Sequence, residues 1–297
     1  MSPSSQKILS LYKSELGYKK IMGLYDELLA QCPFPVKSKF VNTKYGRTHV
    51  LISGESQASP IILLHGWGTN SAAFYSEYPS LMKNHLVYAI DIIGHAGKSE
   101  LNKLSPFRDE YASWLLNTID ELSLQTVNIV GASGGGWLTL KFSLAHPNRV
   151  RRSIVISPMG ITGFKPSFSA TLLKAFLNPT IENAKAYAEL ITSEYRPTGR
   201  TFETFYNNLF LFIKYYRGVL PSPFLLPTHE LKKIHTPLLL LAGEYENVFD
   251  PIKMISRTRQ YIESAECVLV KNAGHAMTID QPKVVGDYIL SFLESEA

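Results

Sequence analysis

Apolar residues recur along the chain with two different spacings, which predict helices in some segments and strands in others. Residues 7–32 carry apolar side chains three or four positions apart, the spacing of one or two amphipathic helices. Residues 38–43 and 48–53 have the shorter spacing of strands and flank a turn at Gly46, so they predict a hairpin. Residues 61–64 are a continuous apolar run, which is typical of a strand buried on both faces.

After residue 64, predicted helices and strands alternate. The predicted strands are residues 86–90, 126–130, 153–157, 238–241 and 267–270. The predicted helices are residues 72–83, 108–122, 133–145, 251–262 and 282–293. Strand, helix and strand repeated in this way predict an α/β fold, in which a doubly wound, mostly parallel sheet carries helices on both faces.

The alternation divides the chain into three predicted parts. Residues 1–36 form an N-terminal helical extension, and residues 37–158 together with residues 234–297 form the sheet with its flanking helices. The interruption, residues 159–233, is rich in Phe and Tyr and broken by prolines, which predicts several helices. Such an insertion between two core strands is most simply a helical cap over the functional site. The alternative is an elaborated part of the core that plays no role in substrate binding.

The composition is that of an ordinary globular protein, and it argues against several functional classes. Of 297 residues, 45% are hydrophobic and 19% are charged, and the 30 basic and 25 acidic residues are dispersed, so we expect no nucleic-acid partner. The two cysteines, Cys32 and Cys267, fit neither a disulfide framework nor a metal site. No apolar run is long enough for a membrane span or a secretion signal, and we therefore expect a cytoplasmic protein.

A candidate nucleophile lies between the predicted strand at 126–130 and the next helix. Residues 131–135 read Gly-Ala-Ser-Gly-Gly and fit the pattern G-x-S-x-G, with Ser133 at the centre. A serine on a tight turn projects its hydroxyl above the sheet, and flanking glycines let neighbouring backbone pass closely. The alternative, a glycine-rich phosphate cradle, would need a following Gly-Lys-Ser/Thr or a G-x-G-x-x-G spacing, and the chain has neither here.

Residues 65–68 read His-Gly-Trp-Gly, directly follow the apolar strand at 61–64, and predict a second part of the same site. The backbone N–H groups of Trp67 and Gly134 could converge on the oxygen that becomes negative when a serine attacks an acyl carbon. We expect His65 to buttress this loop, and a role as catalytic base is the alternative. The residues expected to contact the substrate are His65, Gly66, Trp67 and Ala132.

A candidate base and its acid follow two later strands. His275 ends a segment Asn-Ala-Gly-His after a late predicted strand, and a histidine can take and return a proton near neutral pH. The strand at 238–241 leads into three carboxylates. We expect Glu246 to fix the imidazole tautomer, and Asp250, which directly precedes a proline, is the alternative acid. Glu244 is expected to be a structural hydrogen-bond acceptor.

Five motifs in this order resemble those of the α/β-hydrolase superfamily. They are HGWG at 65–68, DIIGHAGKS at 91–99, GASGGG at 131–136, GEYEN at 243–247 and NAGH at 272–275. Within the superfamily the chain is most similar to carboxylesterase-like bacterial hydrolases with a helical cap, in some of which the acid is Glu, and this implies Glu246. The chain departs from the pattern at Ala96, which lengthens its loop by one residue, and at Ala132, where many relatives have a bulkier residue. We expect a changed loop and pocket floor and no lost catalytic group.

The resemblance implies a serine hydrolase with a triad of Ser133, His275 and Glu246. We expect it to cleave a carboxylic ester or related acyl bond of a small to medium apolar substrate, without a metal or an organic cofactor. Because one fold supports many activities, a C–C hydrolase, a perhydrolase or a lyase on the same scaffold is an alternative, as is a non-catalytic receptor that binds a ligand. A small molecule is the expected partner, and a homodimer is left open.

Overall fold

The computed structural model describes residues 3–55, 60–74, 78, 80–217 and 225–295. Within these ranges, eight strands form a sheet at the centre of the molecule. They are β1 (Lys37–Thr43), β2 (Gly46–Ser53), β3 (Pro60–Leu64), β4 (Leu86–Ile90), β5 (Val127–Ala132), β6 (Val150–Ile156), β7 (Leu238–Gly243) and β8 (Ala265–Val270). Their order across the sheet is β1-β2-β4-β3-β5-β6-β7-β8. Strand β2 runs antiparallel to β1 and β4, and the other neighbours run parallel, so the predicted doubly wound, mostly parallel α/β sheet is confirmed.

Helices precede the sheet and cover it. Their bounds are α1 (Pro3–Leu11), α2 (Glu15–Ala30), α3 (Leu81–Asn84), α4 (Glu110–Glu121), α5 (Gly134–Ala145), α6 (Pro166–Leu177), α7 (Ile181–Ile191), α8 (Arg200–Tyr215), α9 (Thr228–Leu231), α10 (Pro251–Tyr261), α11 (Met277–Asp280) and α12 (Pro282–Glu294). The helix predicted over residues 72–83 falls partly outside the described residues, and its described ends are a 3₁₀ turn at Ser71–Ala73 and α3. In the described part of the chain, no helix is both long and apolar enough to cross a membrane.

Apolar residues cover both faces of the sheet, as the continuous apolar runs of its central strands predict. One face packs on α4, α5 and α10 in a cluster that includes Trp114, Phe142 and Met254. The opposite face packs on α2 and α12 in a cluster that includes Tyr25 and Phe292. Because β3 and β5 to β8 run parallel, their carboxyl ends meet at one edge of the sheet. The loops that carry the predicted site residues follow β3, β5, β7 and β8 and therefore meet at this edge.

Helices α6, α7, α8 and α9 lie in an insertion between β6 and β7, and the N-terminal helices pack on α8. The N–H of Lys13 donates to the carbonyl of Tyr215 (2.7 Å), and the N–H of Arg217 donates to that of Leu11 (2.6 Å). Gly17 lies so close to Tyr215 that a methyl group on this glycine would be 2.5 Å from the tyrosine Cβ. The N-terminal extension is thus bound to helix α8 of the insertion and to Arg217, which follows it.

Candidate active site

Ser133 lies on a sharp turn between β5 and α5. Its φ is 50° and its ψ is −110°, a backbone conformation that is strained for a residue with a side chain. The turn is tight, since a methyl group on Gly135 would lie 2.1 Å from the carbonyl oxygen of Leu64, and one on Gly131 would lie 2.3 Å from that of Gly135. Glycine is therefore required at both positions, and the turn holds the Ser133 hydroxyl at the carboxyl edge of the sheet.

The structure brings Ser133, His275 and Glu246 into one hydrogen-bonded chain. Nε2 of His275 lies 3.1 Å from Oγ of Ser133, and Nδ1 lies 2.9 Å from Oε2 of Glu246. Oε1 of the buried Glu246 accepts a further bond from the N–H of Val248 (2.7 Å). Burial alone would raise the pKa of Glu246, but the charge and hydrogen bond of His275 and the Val248 N–H outweigh it and lower this pKa. An ionised Glu246 holds the proton of His275 on Nδ1 and leaves Nε2 able to accept one from Ser133.

The two other carboxylates after β7 have different partners. Oδ1 of Asp250 accepts the N–H of Lys253 (3.0 Å) and so caps α10, as an Asp before a proline commonly does. Glu244 accepts the N–H of Asn272 (3.1 Å) and pairs with the ammonium of Lys271 (3.0 Å). Within the described residues, neither carboxylate is hydrogen-bonded to His275. The geometry therefore favours Glu246 over Asp250 as the acid.

The loop after β3 lies directly beside Ser133. A methyl group on Gly66 would be 3.5 Å from Cβ of Ser133, and one on Gly134 would be 2.4 Å from the indole of Trp67. Helix α5 begins at Gly134, so the N–H of this residue has no acceptor within the helix. The Trp67 ring stacks on the ring of His95 at 4.0 Å, which supports the loop. The Trp67 ring and Gly134 are thus neighbours beside Ser133.

His65 supports the same loop. Its Nε2 accepts the N–H of Ile92 (3.0 Å), so its Nδ1 carries the proton and donates to the carbonyl of Gly66 (2.9 Å). Burial lowers the pKa of His65, which favours the neutral ring. Because both ring nitrogens are engaged, His65 has no free nitrogen with which to act as the base.

A cavity of about 750 Å³ opens above Ser133 and His275. The residues predicted to contact the substrate all line it, and they are His65, Gly66, Trp67 and Ala132. Ala96 also lines the cavity, so the lengthened loop reaches the substrate space. The insertion contributes aromatic side chains, namely Phe164, Phe168, Tyr187, Phe205 and Phe212. Across the described ranges, no group of three or more His, Cys, Asp or Glu side chains is placed to hold a metal ion.

Asp280 is a site residue that the sequence analysis missed. Its Oδ2 accepts the N–H of Gly274 (2.7 Å) and the N–H of Ser193 (2.9 Å). Gly274 directly precedes His275 and Ser193 follows α7, so this carboxylate joins the histidine loop to the insertion. Burial raises the pKa of Asp280. In the sequence, its position shortly before Pro282 indicates a helix start and gives no sign of these contacts.

A second missed cluster surrounds Asp91 at the end of β4. Its Oδ2 is bonded to Nδ1 of His49 (2.8 Å), the hydroxyl of Tyr25 (3.0 Å) and the N–H of Lys98 (3.0 Å). Its Oδ1 accepts the N–H (2.9 Å) and the hydroxyl (2.8 Å) of Ser71. This carboxylate therefore joins α2, β2, the 3₁₀ turn and the loop after β4. The sequence indicated it only as the first residue of a motif.

Comparisons with known proteins point to the same fold and the same kind of enzyme. Residues 59–282 match the protein family described as alpha/beta hydrolase fold. The chain is 30% identical to a Bacillus subtilis protein named uncharacterized carboxylesterase nap, over 100% of this chain and 98% of that protein. It is 31% identical to carboxylesterase YbfK of the same organism, over 91% of this chain and 92% of that protein. The crystal structure of naproxen esterase (carboxylesterase NP) from Bacillus subtilis is similar, with a TM-score of 0.83, 28% identity, and coverage of 93% of this chain and 98% of that chain.

Proposed function

Because the chain belongs to the α/β-hydrolase fold family and is a hydrolase of the carboxylesterase kind, we propose that it cleaves esters through an acyl-enzyme on Ser133. One observation carries this proposal: Oγ of Ser133 lies 3.1 Å from His275, which lies 2.9 Å from Glu246, at the cavity. A nucleophile in hydrogen-bond reach of a base, which a third group orients, is the arrangement that activates a serine.

In the first half-reaction, Oγ of Ser133 attacks the carbonyl carbon of the ester while its proton passes to Nε2 of His275. Ionised Glu246 stabilises the imidazolium, and the N–H groups of Trp67 and Gly134 donate to the negative oxygen. His275 then gives its proton to the alcohol oxygen. The bond between this oxygen and the carbonyl carbon breaks, and the alcohol leaves.

In the second half-reaction, water takes the place of the alcohol. His275 accepts a proton from this water, and the resulting hydroxide attacks the acyl carbon. The bond to Oγ of Ser133 breaks, Oγ takes the proton back from His275, and the carboxylic acid leaves. The sum is the hydrolysis of one ester by one water, which needs no oxidant or reductant.

The proposed substrate is a small to medium ester with apolar groups. Its support is the aromatic lining of a cavity whose volume, about 750 Å³, is that of sites for drug-sized ligands. A relative of similar structure is named naproxen esterase. We also propose a cytoplasmic location, because Cys32 and Cys267 are free thiols. The homodimer stays a prediction, which light scattering of the purified protein tests.

Labelling with a fluorophosphonate tests the proposal. We expect a single adduct, located on Ser133 by peptide mass, which is absent from Ser133→Ala, together with steady hydrolysis of p-nitrophenyl butyrate. Full turnover by Ser133→Ala would contradict the mechanism. Labelling without turnover of any ester would instead favour a receptor, or one of the other reactions of this fold, which product analysis with a diketone substrate distinguishes.

A further inference from the structure

One side of helix α2 forms part of the cavity wall. The residues of this helix and its C-terminal cap that line the cavity are Ile21, Leu24, Tyr25, Leu28 and Gln31. Positions three and four apart lie on the same side of a helix, so these residues form one continuous surface. The surface carries no charged side chain, and its polar groups are a tyrosine hydroxyl and the amide at the helix end. The N-terminal extension thus presents mainly hydrocarbon to the cavity that holds Ser133.

The cavity extends from the nucleophile toward both faces of the sheet. Phe164 and Phe168 of the insertion line it and pack with the apolar cluster of the α4 and α5 face. Phe74 and Tyr25 line it as well, but they belong to the cluster of the opposite face, where α2 lies. A cavity with an apolar region on each side of the serine matches an ester, which has one group on each side of its reacting carbon.

Helix α2 is held in place from two directions, so this wall exists before a substrate binds. The hydroxyl of Tyr25 donates to the buried carboxylate of Asp91 (3.0 Å), and Lys98 pairs with Asp26, so two bonds attach the helix to the core. On the other side, Gly17 packs against Tyr215 of the insertion. Binding to a preformed wall costs less free energy, because the wall does not have to become ordered when the ligand binds.

We propose that Leu24 and Leu28 bind one apolar arm of the ester, so that the N-terminal extension is part of the substrate site. Both side chains are only half-buried, and the face they share lines the cavity. A hydrocarbon arm placed there removes this surface from water, and each added methylene strengthens binding. The substrate class is therefore an ester with hydrocarbon on both sides of the ester bond. This inference rests on the proposed function.

Two series of esters test the inference and identify the arm. One series lengthens the acyl group from p-nitrophenyl acetate to the decanoate, and the other lengthens the alcohol from ethyl to decyl acetate. Leu24→Trp fills the region beside α2, and Leu24→Gln makes it polar without added bulk. We expect the ratio of kcat/KM for the longest and shortest esters to fall about tenfold or more in one series with both variants. The series that responds shows whether the acyl group or the alcohol lies on α2.

Gly23→Ala is the matched control. Gly23 is exposed on the same helix, and no described atom beyond its own turn of the helix lies within 4 Å of the added methyl group, so both ratios are expected to stay at the wild-type value. Unchanged ratios in folded Leu24 variants, or an equal fall in Gly23→Ala, would overturn the inference. Thermal unfolding identifies any variant that has not folded.

Binding without turnover separates this inference from the proposed function. Calorimetry with Ser133→Ala measures the affinity for decyl acetate and p-nitrophenyl decanoate, and adding Leu24→Gln is expected to weaken one of them about tenfold. Equal affinities with and without Leu24→Gln would overturn the inference. If the wild type binds both esters and hydrolyses none, the proposed function fails, whereas a Leu24-dependent affinity still supports the binding surface on α2.

Discussion

The hydrogen-bonded chain that begins at Ser133 has a counterpart at the N-terminal hairpin. There, Nε2 of His49 lies 2.7 Å from Oγ of Ser38, and Nδ1 lies 2.8 Å from Oδ2 of Asp91. The corresponding distances in the Ser133 chain are 3.1 Å and 2.9 Å. If connectivity alone activated a serine, Ser38 would be at least as good a nucleophile.

The surroundings of the two serines differ in every other respect. Ser133 occupies a strained turn beside the N–H of Gly134, which has no acceptor within α5, and lines a cavity. Ser38 lies within strand β1, is exposed, and does not line the cavity. Asp91 also binds the hydroxyl of Tyr25 and other groups from separate elements, so its chain ties the fold together. The proposed catalysis therefore requires the proposed oxyanion donors and the cavity in addition to the serine, histidine and carboxylate.

The largest expected effect is that of Ser133→Ala. Removal of the nucleophile is expected to lower kcat for p-nitrophenyl butyrate by about 100,000-fold or more, because all the chemistry passes through its Oγ. The melting temperature is expected to stay within about 3 °C, since the hydroxyl supports no other element. Steady-state kinetics and calorimetry measure the two quantities. Retention of about one per cent of the activity would point to another nucleophile, with Ser38 as the first to examine.

Glu246→Gln is expected to lower kcat by about 10,000-fold, because an amide neither fixes the productive tautomer of His275 nor stabilises its imidazolium. The matched control is Asp250→Asn, which alters the cap of α10 and the exposed ion pair with Lys253 and is expected to lower the free energy of unfolding by about 1 kcal/mol or less. Its kcat is expected to match that of the wild type. A large loss of kcat in Asp250→Asn, together with an unchanged kcat in Glu246→Gln, would identify Asp250 as the acid.

Asp91→Asn replaces the carboxylate of the second hydrogen-bonded chain, Ser38–His49–Asp91, as Glu246→Gln does in the chain of Ser133. We expect the free energy of unfolding to fall by about 3 kcal/mol or more, because several buried donors lose a charged acceptor. Urea denaturation measures this loss. The kcat of the folded protein is expected to fall far less than in Glu246→Gln. A loss of kcat as large as in Glu246→Gln, with stability unchanged, would show that the chain of Asp91 takes part in catalysis.

The charge of Asp91 gives the second chain its own dependence on pH. Burial alone would raise the pKa of Asp91, but the hydrogen bond and charge of His49 and the N–H of Ser71 outweigh it and lower the pKa from 3.8 to about 2. Since the folded value lies below the unfolded one, this stability is fully present above about pH 4 and is lost as the pH falls toward 2.

Urea denaturation of the wild type and Asp91→Asn from about pH 5 to pH 2 measures this contribution. The difference between their free energies of unfolding is expected to shrink by about 2 kcal/mol over this range. If the difference stays constant, protonation of Asp91 does not change the free energy of unfolding over this pH range.

The sequence predicted the sheet, and it also predicted that Ser133, His275 and Glu246 lie together, because each depends on local patterns. Strands and helices alternate with clear periods, and Ser133, Glu246 and His275 each follow the end of an apolar strand. In a parallel sheet those ends meet at one edge, so the topology alone brings the three residues close together. The glycines around Ser133 also predicted a tight turn there, and the structure places this serine at a positive φ.

The second chain and Asp280 depend on contacts between distant segments, and the sequence carries no local signal for them. Phe40 pairs with His49 across β1 and β2, so Ser38, two residues earlier, lies on the same face and reaches the histidine diagonally. A shift of the register by one residue would place Ser38 on the other face. The loop contact of Asp280 similarly requires the insertion to be in place.

Ser38→Ala has the smallest expected effect and tests most directly whether Ser38 differs in role from Ser133. It removes the hydroxyl that lies 2.7 Å from Nε2 of His49, at an exposed position, so the free energy of unfolding is expected to fall by about 1 kcal/mol or less. The kcat and the fluorophosphonate adduct on Ser133 are expected to be unchanged. Urea denaturation of Ser38→Ala and Asp91→Asn shows whether Ser38 contributes as much stability as the carboxylate of Asp91. If Ser38→Ala lowers the free energy of unfolding as much as Asp91→Asn does, the serine, histidine and carboxylate form one cooperative unit. A small loss means that the carboxylate of Asp91 stabilises the cluster, and that Ser38 is only a hydrogen-bond partner at its outer end.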